Sequence, residues 1–285
     1  MRPYRLILPA ETRTAAVFAS PHSGRDYPAD FLAASVLSPL ALRSSEDAYV
    51  DRLIDNAPAE GAPLLLASLP RAYVDLNRSP EDLDPRLIEG VHAQGQGNAR
   101  VAAGLGVIPR VVAGGREIRA SRISLREARR RIEKVHRPYH DALAELLAGQ
   151  RRRFGQAVLF DMHSMPSEAL VAARLRQGRV PDIVLGDLYG ASAAQEITAA
   201  VEQVFRAEGL VVRRNAPFAG AYVARRHGRP GQGQHVVQVE IARALYLDEA
   251  RVAPSADFAA FRALMHRLVA TLARLWAGKA DLAAE

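Results

Sequence analysis

Val17-Phe18-Ala19-Ser20-Pro21-His22-Ser23-Gly24 is an apolar run of strand character that stops at a proline and releases a histidine into a Ser-Gly turn. An imidazole at the mouth of a buried strand is well placed for a ligand or a catalytic group. The pattern returns as Ala157-Val158-Leu159-Phe160-Asp161-Met162-His163-Ser164-Met165, again an apolar run ending in an acid, a histidine and a serine. Two such runs in a chain that also contains helical periodicity point to an α/β fold, because open sheets collect ligands at the carboxyl edge of their strands.

Working outward, further strands are expected over 63–69, 72–76, 107–112, 182–185, 210–212 and 236–241, with the first over 15–19. Ser44 precedes Glu46, Asp47 and apolar residues at helical spacing up to Ile54, which places both acids in a first helical turn where they complement the helix dipole. Ser124-Leu125-Arg126-Glu127 is a capping box for a helix running toward Gly149. Within it His136 and His140 share a face at i, i+4, but the glutamate of a His-Glu-x-x-His zinc helix is missing and Pro138 bends the helix between them, so the pair reads as structural or supporting. Other helices are expected over about 191–207 and 256–276. The stretch from Glu81 to Gly106, with Gly95, Gly97 and Gly104, reads as a long irregular excursion, and Arg151 to Arg153 as a solvated turn. Asn215-Ala216-Pro217-Phe218-Ala219-Gly220 and the stretch from His227 to Gln234 read as a polar, glycine-rich loop, enriched in Arg225, Arg226 and Arg229, that suits a substrate lid.

Composition narrows the chemistry. In 285 residues there is no cysteine, so disulfides and thiolate metal sites are excluded and any metal must be held by histidine and carboxylate. That usage fits a cytoplasmic protein. No uninterrupted apolar run is long enough for a membrane helix, and no signal-peptide core is present at the N-terminus. The formal charge of +7 is carried almost wholly by arginine, since lysine occurs only at Lys134 and Lys279. Such a charge could attract nucleic acid or a small anionic substrate, or reflect arginine-rich coding bias alone; nucleic acid is not expected, because the basic runs lack interleaved aromatics.

The polar residues at strand ends are His22, Asn77-Arg78, His163 and Glu240. Each alone has a bland explanation, but together they match a hydrolytic zinc centre. Two imidazoles and one carboxylate leave a fourth position for water, whose pKa the metal lowers to about 7. Glu240, inside the apolar strand Val236-Val237-Gln238-Val239-Glu240-Ile241, is expensive to bury without a partner and can take the water's proton. Arg78, with Asn77 beside it, can clamp a substrate carboxylate through a planar bidentate pair. Asp161, two residues before His163 on the same strand face, can orient that ring's second nitrogen.

Six segments, in order and over nearly the whole chain, resemble the N-formylglutamate amidohydrolase family: Ser20-Pro21-His22-Ser23-Gly24, Ser45-Glu46-Asp47-Ala48-Tyr49-Val50-Asp51, Tyr73-Val74-Asp75-Leu76-Asn77-Arg78, Pro138-Tyr139-His140, Asp161-Met162-His163-Ser164-Met165-Pro166 and Gln238-Val239-Glu240-Ile241. The resemblance implies one catalytic domain over 1–285 with a mixed sheet flanked by helices, the phosphorylase/hydrolase-like arrangement of zinc carboxypeptidases. It implies hydrolysis of N-formyl-L-glutamate to formate and L-glutamate, a late step in one route of histidine degradation. It also implies one zinc ion on His22, His163 and an acid of the Glu46-Asp47 pair, Asp47 being favoured and Glu46 the alternative. Asn77 and Arg78 then hold substrate, and Glu240 is the catalytic base.

Two departures bear on that picture. Arg25 stands where carboxypeptidases carry a glutamate three residues after the first histidine, and Gly220 is followed by Ala221 where the family usually has a second glycine. The rival readings are a related zinc peptidase or deacylase with another anionic amide, or an arginine-rich nucleic-acid or partner-binding module with structural histidines.

Overall fold

The computed structural model describes residues 2–92, 98–171 and 180–277; the glycines at 95 and 97 lie outside these residues. Its centre is one seven-stranded mixed sheet. The strands are β1 (Tyr4–Ile7), β2 (Ala16–Ser20), β3 (Leu64–Ala67), β4 (Ala157–Met165), β5 (Ile183–Gly186), β6 (Val212–Arg214) and β7 (Gln234–Ala242). In space they run β1-β3-β2-β4-β7-β5-β6. β3, β2, β4 and β7 are mutually parallel, β1 runs antiparallel to β3, and β5 pairs antiparallel with β7.

This order decides where a site can form. From β2 the chain crosses outward to β3, then returns across β2 to β4 on the other side. The loops leaving β2 and β4 therefore diverge, opening a crevice at the carboxyl ends of the strands. His22 leaves β2 and His163 sits near the end of β4, so the topology brings both histidine motifs to the same crevice.

The sheet is buried on both faces, and the alternation of side chains along β4 and β7 sorts them between two cores. Phe18, Val158, Phe160, Met162, Val237, Val239 and Ile241 pack on the face covered by α3 (Gln195–Ala207) and α5 (Phe258–Leu275). Leu159 and Val236 lie in the opposite core, beneath α1 (Leu125–Arg131), a π turn over Ile132–His136 and α2 (Arg137–Phe154). Counting in steps of two from Leu159 and Val236 reaches Asp161, His163, Gln238 and Glu240, so the polar groups extend the second face. α4 (Tyr222–His227) covers part of that face through Val223 and Ala224.

Several local expectations are corrected. Residues 72–76 form a turn, not a strand: Tyr73 N–H donates to Pro70 O, and the Asp75 carboxylate accepts from Asn77 N–H at 2.9 Å, bending the backbone as Asp does at turns. Glu46 and Asp47 precede the helix, which covers only Val50–Leu53 because Tyr49 is left-handed with φ of 64°. Residues 107–112 hold only an isolated bridge from Val111 to Glu117. Arg151 to Arg153 form the last turn of α2, which Gly155 ends with φ of 76°. The segment 227–234 is not an open loop, since His227 closes α4 and is buried. Ser124 caps the helix as expected, its Oγ accepting from Glu127 N–H, while the Glu127 carboxylate pairs with Arg130 and Arg131. Among the described residues no helix is long and apolar enough to cross a membrane.

Candidate metal centre and active site

His22, Asp47 and His163 meet at the crevice, each almost wholly buried, with one potential ligand atom from each residue lying within 4.8 Å of the others. The local backbone explains the meeting. Gly24 lets the chain turn against the next strand's exit, where a Cβ would overlap the Leu69 carbonyl. Asp47 N–H donates to His22 O at 3.0 Å, tying the two segments side by side.

The donor set fits a divalent cation. His22 Nε2 lies 2.7 Å from Asp75 Oδ1, so that nitrogen carries the proton and donates. The other nitrogen, Nδ1, is buried without a hydrogen-bond partner and lies 3.4 Å from Asp47 Oδ2. An orphaned imidazole lone pair beside a carboxylate is what a metal ligand pair presents, with Asp75 fixing the tautomer from behind. His163 Nδ1 approaches the same Asp47 Oδ2 at 3.0 Å. Its Nε2 is 3.0 Å from Asp161 Oδ2, although neither Asp161 oxygen completes a well-directed hydrogen bond.

Asp47 is itself held. Its Oδ1 accepts from Ser164 Oγ at 3.0 Å and from Arg243 Nη2 at 3.3 Å. Arg243, 6% exposed, also donates to the carbonyls of Ser44 and Glu46, so one guanidinium ties down the turn that carries Asp47. Glu46 turns the other way. Its Oε1 accepts from Tyr27 Oη at 2.7 Å and from Arg43 Nε at 3.2 Å, so its carboxylate is engaged away from the two histidines.

Glu240 lies opposite His163 in the β4–β7 register and lines the same cavity. Burial pushes its carboxyl up to about 7; the charge of Asp47 adds to this, and His163 opposes it. Its Oε1 accepts from Gln238 Nε2 at 2.9 Å, and Gln238 Oε1 in turn accepts from Asn77 Nδ2 at 3.2 Å. Asn77 is thereby tied to the strand that carries Glu240. Arg78 reaches the cavity while donating to the carbonyls of Leu105 and Asn77.

The cavity measures about 570 Å³, inside the range of small-molecule sites. Besides His22, Asp47, Asn77, Arg78, His163 and Glu240 it is bounded by Arg71, Arg243, Val112 and Phe218, among others. Arg225 and Arg229, the suggested lid cations, do not line it. Three contributors went unrecognised in the sequence: Asp75 behind His22, Arg71 paired with Asp75 at 2.8 Å, and Arg243. A signal for Asp75 existed, because it stands two residues before Asn77 within a quoted motif and four after Arg71. Arg243 had none beyond lying three residues after Glu240.

A mixed sheet flanked by helices, with imidazoles and carboxylates gathered in a cavity at its carboxyl edge, is an α/β fold with a candidate catalytic centre. The sequence profile of N-formylglutamate amidohydrolase matches residues 14–247. The chain is 34% identical to an N-formylglutamate deformylase of Pseudomonas aeruginosa over 266 residues, 91% of this chain and 93% of that protein. It is 32% identical to an N-formylglutamate deformylase of Pseudomonas putida over 206 residues, 71% of each. The crystal structure of N-formylglutamate amidohydrolase from Ralstonia eutropha JMP134 superposes with a TM-score of 0.89 at 34% identity, covering 97% of this chain and 99% of that one. The chain belongs to the N-formylglutamate amidohydrolase family.

Proposed function

We propose that this chain, acting as one catalytic domain in the cytoplasm, hydrolyses the amide bond of N-formyl-L-glutamate to formate and L-glutamate, the late step of histidine degradation implied by its family. The observation that carries this reading is the meeting of His22, Asp47 and His163 beside Glu240 in a cavity that also holds Asn77 and Arg78. A zinc ion held by the first three residues would lower the pKa of water and polarise the amide carbonyl.

The remaining chemistry falls to the chain's own side chains. Glu240 accepts a proton from the attacking water and delivers it to the amide nitrogen as the C–N bond breaks; a carboxyl lifted to about 7 by burial is poised for both transfers. Arg78 binds the substrate's α-carboxylate and, with Asn77, holds the scissile bond in place. Arg71, fixed by Asp75 in the cavity wall, offers a cation to the carbonyl oxygen as that atom gains charge.

The decisive measurement combines metal content with formate release. Stoichiometric zinc and turnover of N-formyl-L-glutamate are expected for the unaltered protein. Glu240→Gln should retain the metal and lose turnover by about 100-fold or more. Undiminished turnover in that variant would remove Glu240 from its role, and a metal-free active protein would overturn the centre.

A further inference from the structure

The Pro138-Tyr139-His140 motif and its neighbour His136 have no part in the centre described above, yet the structure buries them against it. His136, His140 and His227 are 3%, 1% and 3% exposed. Among the described residues they do not form a metal-capable group with any carboxylate. Instead they grip the backbone on both sides of Asn77. His140 Nε2 lies 2.9 Å from Leu76 O, and His136 Nε2 lies 2.9 Å from Arg78 O. A carbonyl only accepts, so both nitrogens carry protons and donate.

The tautomers follow around the cluster. With its proton on Nε2, a neutral His140 must accept at Nδ1, which lies 3.0 Å from His227 Nε2. His227 therefore donates to His140. Burial lowers the pKa of all three rings, His227 to about 3 with help from Arg226 and Arg229, so each carries a single proton and the chain of donors has one sense. α4, which supplies His227, also supplies Val223 N–H to Asn77 Oδ1 at 2.8 Å. The π turn before Pro138 sets both histidines of the helix against the 76–78 turn, a use to which π turns are often put near functional sites.

We propose that His140 and His136 are positioning residues that hold the carbonyls flanking Asn77, and so aim Asn77 and Arg78 at the substrate's α-carboxylate, with His227 setting the tautomer of His140. This rests on the clamp role given above to Arg78. The arrangement suits the task because residues 72–78 are a turn with no strand ladder to fix their register. Side-chain donors on a rigid helix replace that ladder.

The test compares N-formyl-L-glutamate with N-formyl-4-aminobutyrate, which keeps the distal carboxylate and lacks the α-carboxylate. For His140→Leu, KM for the first substrate should rise about tenfold, the size of effect typical of an outer supporting partner, with a smaller change in kcat. KM for the second substrate and the metal content should stay unchanged. His140→Gln, whose amide N–H can still reach Leu76 O, should recover most of the loss, and His140→Leu combined with Arg78→Ala should be no worse than Arg78→Ala alone. Equal losses on both substrates, loss of metal, or an unchanged KM would overturn the proposal. His136→Gln and His136→Leu carry the same test at the outer carbonyl if His140→Leu does not fold. Should Arg78→Ala itself leave KM for N-formyl-L-glutamate unchanged, the clamp reading fails and this inference falls with it; an effect at Arg78 without one at His140 or His136 overturns the inference alone.

Discussion

Two groups of buried histidines lie on either side of the 76–78 turn, and they are chemical opposites. His22 and His163 face carboxylates: Asp75 and Asp161 on the far ring nitrogens, and Asp47 between the near ones. His136, His140 and His227 face two backbone carbonyls and one another, with basic side chains nearby. Residue type and burial are the same in both. The first group presents negative charge and lone pairs to a common point and can hold a cation; the second is neutral and spends its protons on backbone acceptors. A buried histidine is thus defined by what stands behind it.

Exchanging members of the two groups should break this contrast most sharply. His22→Ala or His163→Ala is expected to abolish metal binding and lower turnover by more than about 100-fold, above the range for loss of an outer partner. His136→Leu should leave metal content intact. Elemental analysis of the purified variants checks both, and metal loss from His136→Leu would erase the distinction.

A smaller effect should come from the carboxylates that make the first group distinct. Asp75→Asn retains the shape but removes the charge behind His22, and metal affinity should fall by about 10- to 100-fold. Competition with a chelator of known affinity measures this. An unchanged affinity would mean that Asp75 serves Arg71 and the turn, not the imidazole.

The smallest effect concerns the neutral group. His227 is pushed down to about 3 by burial, while an unfolded imidazole titrates near its ordinary value of about 6.5. Between those values the unfolded chain takes up a proton that the folded chain refuses. This component of stability is complete above about 6.5 and declines as the pH falls toward about 3. From about pH 6.5 to about pH 5 it should cost the unaltered protein roughly 1.5 kcal/mol that His227→Gln does not lose. Urea unfolding at both pH values reads the difference, and parallel losses in the two proteins would show that His227 is not held neutral.

Much of the fold could be read locally. The apolar runs before His22 and His163, the Val236–Ile241 alternation and the Ser124 capping box each depend on a few adjacent residues, and the structure places strands or a helix start at each. Residues 72–76 misled because their apolar pattern fits a strand, whereas a side chain, Asp75, bends the backbone and two helical histidines hold it. The edge strand Tyr4–Ile7 escaped notice because only its pairing with Leu64–Ala67 makes it a strand.

By itself the sequence determined that His22, His163 and Glu240 lie at or near the carboxyl ends of strands, since strand period and breakers act over a few residues. It also held the motif order that places the chain in its family. Only the tertiary structure shows which of Asp47 and Glu46 faces the two histidines: the two are adjacent and equally buried, and they differ in the side chains that approach them. Tyr27 and Arg43 take one, while His22, His163, Ser164 and Arg243 take the other. His163, Ser164 and Arg243 reach Asp47 only through the crossover from β3 back over β2 to β4, a long-range event that no local pattern encodes.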